Sequence, residues 1–219
     1  MIRTFVHPDG LEQRLAVADL LVDAGDLVVE MIAGRGAPLV YSDPPWNPGN
    51  EKYWRRHAGA SPPDSYDRLL DAWCGLVARI GPRDVFCEQS TQSKHRDLFF
   101  AAVERCEAWR LPLLEQWTVY YGTPGPGRDC VRPNVLLHFG SAPLATDPSG
   151  MRGVPMTRRV FEGIDLPHGS LVVDPCMGKG MTSRLAHERG WNVVGTELNS
   201  RRLDYTIAWL MKRGYEERA

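Results

Sequence analysis

The alternation of apolar and polar residues divides the C-terminal third of the chain into strands and helices. Residues 171–173 and 192–196 are short apolar runs with the length of buried strands. Each run is followed by a segment with apolar residues at helical spacing, over 181–189 and 199–212. This strand–helix–strand–helix order predicts a parallel sheet joined by a right-handed crossover.

The first two thirds of the chain show the same patterns with less regular spacing. The predicted helices cover 11–24, 64–80 and 94–106, with a short helix capped by Thr157, and the predicted strands cover 27–29, 39–42, 85–87, 117–121 and 134–139. Two polar segments, 47–63 and 122–133, are expected to be long loops. The length of 219 residues suits a single domain, or one domain with an insert.

Composition narrows the class of protein. A hydrophobic content of 43% and a charged content of 24% are usual for a globular protein with a sizeable core. The sequence lacks an apolar run of about 18 residues and begins without a signal-peptide core, so we expect no membrane span. Five scattered cysteines without a C-x-x-C pair favour a reducing cytoplasm over a disulfide framework or zinc site. With a formal net charge of −1, contacts with a polyanion would require local clusters.

The sequence Asp-Pro-Pro-Trp at 43–46 directly follows the predicted strand at 39–42. Proline fixes its own φ and restricts the residue before it, so the chain is expected to stay extended there. A carboxylate, a free carbonyl and an aromatic ring therefore lie together at a strand's C-terminal end, where open α/β sheets bind ligands. This cluster could hold a flat heterocycle with an amino group. The alternative is a proline-terminated strand with an incidental tryptophan.

A glycine-rich turn at 174–180 follows the strand at 171–173. Gly178 and Gly180 allow the backbone to approach a ligand closely, and Glu197 ends the next strand, where an acid accepts hydrogen bonds from a ribose diol. The turn has no third glycine at dinucleotide spacing and no G-K-[ST] phosphate loop. A nucleoside-type ligand without a pyrophosphate therefore fits better than NAD or ATP. A structural turn beside a surface glutamate is the alternative.

Both motifs resemble those of amino-group nucleic-acid methyltransferases. Residues 174–182 resemble the S-adenosylmethionine-binding motif of that family, usually D-P-F-x-G-x-G-T, and residues 43–46 resemble its catalytic D-P-P-[YFW] motif. The catalytic motif precedes the cofactor motif, as in the β class of these enzymes. The resemblance implies an α/β fold with a Rossmann-like, mostly parallel sheet, helices on both faces and a circularly permuted motif order. It also implies a catalytic half at 1–140 and a cofactor-binding half at 150–219.

The resemblance also implies roles for individual residues. The catalytic motif consists of Asp43, Pro44, Pro45 and Trp46. Asp43 and the Pro44 carbonyl would accept the hydrogens of the target amine, and Trp46 would stack on a base extruded from the duplex. Cofactor contacts are implied for Asp43, Asp174, Pro175, Cys176, Met177, Gly178, Gly180, Thr182 and Glu197. No metal is implied, because a carboxylate does this work.

Basic residues near the expected carboxyl edge of the sheet are candidates for phosphate contacts. They are Lys52, Arg55, Arg56, Lys94, Arg96, Arg128 and Arg132. In the segment 47–63 they are interleaved with Tyr53 and Trp54, a mixture that suits phosphates and bases. Each residue taken alone is more typical of a solvated surface charge, and only their shared location near this edge favours phosphate contacts.

Trp46 in place of tyrosine favours adenine N6 over cytosine N4 as the acceptor, again by resemblance. The expected protein is thus a cytoplasmic, S-adenosylmethionine-dependent adenine-N6 methyltransferase that acts on DNA rather than RNA. Cytosine N4 in DNA and adenosine N6 in RNA remain open as acceptors. A non-catalytic nucleic-acid-binding subunit and a small-molecule methyltransferase are further alternatives. A homodimer, or a partner that supplies sequence specificity, also remains open.

Overall fold

The computed structural model describes residues 1–61, 65–121 and 132–218. Its strands are β1 (Ile2–Val6), β2 (Glu12–Val17), β3 (Leu39–Ser42), β4 (Asp84–Ser90), β5 (Leu113–Tyr121), β6 (Arg132–Phe139), β7 (Leu171–Asp174), β8 (Asn192–Glu197) and β9 (Glu216–Arg218). Its helices are α1 (Ala24–Ile32), α2 (Pro48–Ala58), α3 (Tyr66–Ile80), α4 (Ser93–Arg105), α5 (Gly153–Glu162), α6 (Met181–Glu188) and α7 (Ser200–Lys212). The described strands form one sheet in the order β5-β6-β4-β3-β7-β8-β2-β1-β9.

The centre of the sheet is parallel and its edges are antiparallel. Strands β4, β3, β7, β8 and β2 pair in parallel, whereas β6 and β5 close one edge and β1 and β9 close the other. The carboxyl ends of the central strands therefore meet along one rim of the sheet. Because β2 pairs with β8, one continuous sheet joins the early and late parts of the chain.

Helices cover both faces of this sheet, since successive strand residues point to opposite sides. Val40 and Val85 pack in a core with α1, α3 and α4, whereas their neighbours Leu39 and Phe86 pack with α5 and α6. Helix α7 packs against β2 through Leu15. This arrangement confirms the predicted α/β class with a largely parallel sheet between two helical layers. The circular permutation stays a prediction.

The N-terminal predictions were wrong in two places. The segment predicted as a helix over 11–24 forms β2 followed by a turn, and the strand predicted at 27–29 lies within α1. Leu15 and Ala16 are both fully buried, because β2 lies inside the sheet and is covered on both faces. Gln13 is buried although it is polar, and residues 15–17 are consecutive apolar residues, so the strand shows no regular alternation and its apolar spacing also fits a helix. Strand β1 and the edge strand β9 were not predicted.

The loop predicted at 47–63 was also wrong, because 48–58 form α2. The Asn47 side chain caps this helix by accepting a hydrogen bond from the Asn50 backbone N–H at 2.9 Å. Proline at the first turn is a further helix-start signal. The buried residues of α2 are Glu51 and Arg55, both charged, so the helix has no apolar stripe to reveal it.

The remaining elements are confirmed within a few residues, except for the predicted cap. Helix α5 begins at Gly153 after the N-cap Arg152, so Thr157 lies inside the helix. Its hydroxyl lies 2.9 Å from the Tyr41 hydroxyl of β3 and fixes the helix to the sheet. The predicted loop at 122–133 lies outside the described residues except for its last two, which belong to β6. None of the described helices combines the length and apolarity needed to cross a bilayer.

Candidate active site

A cavity of about 230 Å³ opens where the central strands end. Its walls come from the segments after β3, β7, β8 and β2, and from α2. Its lining includes Asp43, Pro44, Pro45, Trp46, Asp174, Pro175, Cys176, Met177, Gly178, Thr182 and Glu197. The two sequence motifs therefore meet in one cavity, because β3 and β7 are neighbours in the sheet.

The Asp43 carboxyl group lies in the wall of this cavity directly after β3. Its Oδ1 accepts a hydrogen bond from the Trp46 indole N–H at 2.6 Å. Desolvation raises the pKa of Asp43 to about 6, although the Trp46 hydrogen bond and the Arg202 charge act in the opposite direction. Asp43 is therefore mostly ionised only above about pH 6, and the indole fixes its orientation.

The Trp46 ring packs edge-on against Tyr121, with ring centroids 4.4 Å apart and an interplanar angle of 89°. Its indole N–H is used by Asp43. The stacking role on a base that the sequence predicts for Trp46 stays a prediction. The structure adds a second role for this side chain, as the hydrogen-bond donor that holds the carboxylate.

The Gly178 turn is tied to the end of β8 through Glu197. The Gly178 backbone N–H donates to Glu197 Oε2 at 2.8 Å, and the Asn199 N–H donates to Oε1 at 2.9 Å. Gly178 adopts a φ of +57°, which favours glycine, and a Cβ there would lie 3.1 Å from Arg202 Nη2. Burial raises the pKa of Glu197, whereas these backbone hydrogen bonds act to lower it.

Asp174 organises the turn from within. Its Oδ2 accepts a hydrogen bond from the Thr182 hydroxyl at 2.5 Å, and its Oδ1 accepts one from the Cys176 N–H at 3.0 Å. Burial nevertheless raises the pKa of Asp174 to about 7. Both oxygens of this carboxyl group hold the turn that begins α6.

Gly180 lies beside the cavity and is not part of its described lining. It caps α6 with a φ of +75°, and a Cβ there would overlap the Thr206 side chain of α7. Its close approach is therefore to another helix. The structure gives this glycine a packing role in addition to the ligand contact predicted from the sequence.

The predicted phosphate contacts have different positions. Lys52 and Arg56 are exposed on α2, and Lys94 and Arg132 are exposed at the start of α4 and β6, at the same rim of the sheet. Arg96 is partly exposed on α4, and Arg128 lies outside the described residues.

Arg55 differs from the other basic residues of this group. It is 7% exposed, and its Nη1 and Nη2 each lie 2.8 Å from one carboxylate oxygen of Asp19. The guanidinium group is therefore engaged in a bidentate ion pair and is not free to bind phosphate. Assigning Arg55 to nucleic-acid binding was wrong in this structure, because the helical turn points it inward.

Sequence reasoning missed Glu88, a buried acid behind Asp43 at the end of β4. Its carboxyl group accepts hydrogen bonds from the Tyr41 hydroxyl at 3.1 Å and from Asn134 Nδ2 at 3.2 Å. Burial and the neighbouring Asp43 charge raise the pKa of Glu88 to about 8. Its position directly after the predicted strand 85–87 was the available signal.

Sequence reasoning also missed Arg202, at the start of α7. Its guanidinium group lies 4.2 Å from the centroid of the Trp54 ring of α2, and both side chains line the cavity. Among the described residues, no group of histidine, cysteine, aspartate and glutamate side chains is arranged to hold a metal ion.

No protein-family model matches the sequence. No curated protein matches it significantly either. Solved structures do match the fold. The structure of M1.HpyAVI superposes with a TM-score of 0.60 at 12% identity, covering 91% of this chain and 99% of that one.

Two further matches extend this likeness. TTHA0409, a putative DNA modification methylase from Thermus thermophilus solved with S-adenosyl-L-methionine, gives a TM-score of 0.59 at 14% identity, covering 92% of this chain and 95% of that one. The cytosine-N4-specific PvuII DNA methyltransferase gives 0.56 at 12% identity, covering 89% and 85%. At these identities the likeness establishes the fold alone. The chain has the Rossmann-like fold of these DNA methyltransferases.

The packing role of Gly180 can be tested by mutation. Gly180→Ala should lower the free energy of unfolding by roughly 1–3 kcal/mol, because it adds left-handed strain and overlap with Thr206. The double variant with Thr206→Ala should recover part of this loss, since the two closest overlapping atoms, Oγ1 and Cγ2, are removed. Urea denaturation measures both. An unchanged midpoint for Gly180→Ala would contradict the packing role.

The raised pKa of Glu88 predicts a pH-dependent stability. In an unfolded chain this acid loses its proton near its ordinary value of 4.5, but in the folded protein only near 8. Between these values the folded state binds more protons, so the free energy of unfolding falls as pH rises. Glu88→Gln should therefore be more stable than wild type at pH 9, by up to about 5 kcal/mol, and equally stable near pH 4.

Urea denaturation at both pH values measures the effect of Glu88→Gln. Glu107→Gln, which changes an exposed glutamate, serves as the control and should leave the pH dependence unchanged. Equal stability of Glu88→Gln and wild type at pH 9 would show that burial does not hold the proton on Glu88.

Proposed function

We propose that this protein transfers a methyl group from S-adenosylmethionine to an exocyclic amine of a nucleic-acid base, adenine N6 in DNA. One observation carries the proposal. Asp43 lines the same cavity as Gly178 and Glu197, which are joined by a hydrogen bond. The fold shared with DNA methyltransferases supports it, as do the structures of M1.HpyAVI and TTHA0409 solved with S-adenosylmethionine.

The residues around the cavity fit this cofactor. Gly178 has no side chain at the point of closest approach, and its N–H fixes the Glu197 carboxyl group at the rim. Glu197 would accept hydrogen bonds from the ribose hydroxyls, as an acid at the end of the second strand does in related nucleotide sites. When bound, S-adenosylmethionine supplies an electrophilic methyl group on a sulfonium sulfur.

Asp43 and Pro44 would activate the acceptor amine. An exocyclic amine conjugated with its ring is a poor nucleophile, because its lone pair is delocalised. Asp43 Oδ2, which the indole does not hold, and the Pro44 carbonyl would each accept one amine hydrogen. These contacts favour a pyramidal nitrogen, position it in line with the methyl group and stabilise the positive charge that develops. Asp43 is then the acceptor for the proton that the nitrogen loses.

The exposed basic residues at the cavity rim would bind the phosphates of the substrate. Lys52 and Arg56 lie on α2, and Lys94 and Arg132 lie across the rim at α4 and β6. Because the net charge of the chain is −1, this binding depends on the local cluster and should weaken steeply with salt. A DNA substrate and the cysteine content are both in keeping with a cytoplasmic protein.

Cytosine N4 is the second candidate acceptor. It is supported by the structural likeness to the cytosine-N4-specific PvuII methyltransferase, whose TM-score is 0.56. Adenine remains the proposed base because Trp46 in the catalytic motif resembles the adenine-N6 enzymes. Both amines would use the same Asp43 and Pro44 acceptors, so the methylated product must decide between them.

Replacing Asp43 tests the proposed reaction. DNA and RNA from a methylation-deficient host that expresses the protein should be digested and analysed by mass spectrometry. Wild type should produce N6-methyladenine in DNA, whereas Asp43→Asn should produce none and still bind the cofactor, because an amide NH₂ cannot accept the amine hydrogen. Full activity of Asp43→Asn would refute its role. N4-methylcytosine would reassign the base, and N6-methyladenosine confined to RNA would reassign the polymer.

The Trp46 hydrogen bond predicts a shift in the pH–rate profile. The wild-type kcat/KM should fall below pH about 6, where Asp43 becomes protonated and can no longer accept as an anion. Trp46→Phe removes the donor that lowers the pKa of Asp43, so this acidic limb should move to higher pH. Trp117→Phe, outside the described cavity lining, is the matched control and should leave the limb in place. A limb unmoved in Trp46→Phe would exclude the indole as an orienting donor.

A further inference from the structure

Helix α2 brings an acid into the cavity that none of the roles above uses. Glu51 is 1% exposed and lines the cavity, and its Oε1 has no hydrogen-bond partner among the described residues. Burial raises the pKa of Glu51 to about 7, with Arg55 opposing and Asp19 adding to the shift. An unsatisfied buried carboxyl oxygen is costly unless a ligand supplies the missing donor.

The nearby acid, Asp19 at the end of β2, is already engaged. Its two oxygens bind the Arg55 guanidinium at 2.8 Å each, and its Oδ1 also accepts the Leu21 backbone N–H at 3.0 Å. Of these two acids, Glu51 is therefore the one with an open acceptor, its Oε1.

The order of the strands indicates which part of a ligand reaches Glu51. Along the rim, the sheet places β3 with Asp43, then β7 with the Gly178 turn, then β8 with Glu197, and finally β2 with Asp19. With the methyl group at Asp43 and the ribose at Glu197, the heterocyclic base of the donor continues towards β2. The cavity also includes the apolar side chains of Leu20, Leu69 and Leu198, which suit a flat ring.

We propose that Glu51 binds the exocyclic amino group of the methyl donor's adenine and so makes α2 part of the cofactor site. This inference rests on the proposed function. A carboxyl oxygen accepts the amino hydrogen, and the protonated acid can also donate to the neighbouring ring nitrogen. Glutamine offers the same acceptor and donor, whereas leucine has a similar volume and offers neither.

The test compares two ligands on the full chain by titration calorimetry. One ligand is S-adenosylhomocysteine, and the other is its purine analogue, which carries hydrogen in place of the amino group. Wild type should bind the amino ligand about tenfold or more tightly than the analogue. Glu51→Leu should lose this preference, because its affinity falls for the amino ligand alone. Glu51→Gln should retain most of the preference. Together the measurements form a thermodynamic cycle for one contact.

Glu30→Leu, the same substitution at an exposed position of α1, should keep the wild-type preference. The inference is overturned if Glu51→Leu keeps that preference, or if it weakens for both ligands equally, as a structural role would cause. If Glu51→Leu does not fold, Glu51→Met takes its place in this comparison. If wild type binds neither ligand, the proposed function itself fails. If wild type binds both ligands equally tightly, only the inference about Glu51 fails.

Discussion

The pairing of β3 with β7 is the contact on which the candidate site depends. Two residue pairs, Leu39 with Val172 and Val40 with Val173, set this parallel register. All four side chains are fully buried, so the register is fixed by both helical layers. Because the two strands end side by side, the carboxylate after one and the glycine turn after the other share a cavity. A slip of one residue in either strand would turn that strand's side chains to the wrong layer.

Carboxyl groups whose ionisation is opposed by burial lie in the cavity wall and, in the case of Glu88, directly behind it. Asp43, Glu88 and Asp174 have pKa values raised to about 6, 8 and 7, each chiefly by desolvation. Because the pKa of Asp43 is the lowest of the three, Asp43 loses its proton at a lower pH than Glu88, the acid behind it. A cationic ligand placed among these groups favours their ionised forms. The same surroundings favour a positively charged ligand over a neutral one of the same shape.

The sequence predicted the parts of this protein in which local pattern and tertiary structure agree. Strands β3, β7 and β8, and the two motifs that follow β3 and β7, could be read directly because turn chemistry marks their ends. Strand β2 was missed because burial on both faces removes its alternation. Helix α2 was missed because it buries Glu51 and Arg55 instead of apolar residues, so its stability depends on partners from distant segments. Glu51 is buried only because this helix packs inward, which no local pattern predicts, whereas Glu88 was marked only by its position directly after the predicted strand 85–87.

Helix α2 carries two kinds of residue on one rigid element. Arg55 fastens its inner side to Asp19, whereas Lys52 and Arg56 face solvent on the outer side. The helix also begins two residues after Trp46, so the motif at 43–46 and the cavity wall formed by α2 are consecutive in the chain. A substrate held on the outer side and a donor held on the inner side would therefore be thermodynamically linked. If bound substrate raises the affinity for the donor by some factor, bound donor must raise the affinity for the substrate by the same factor.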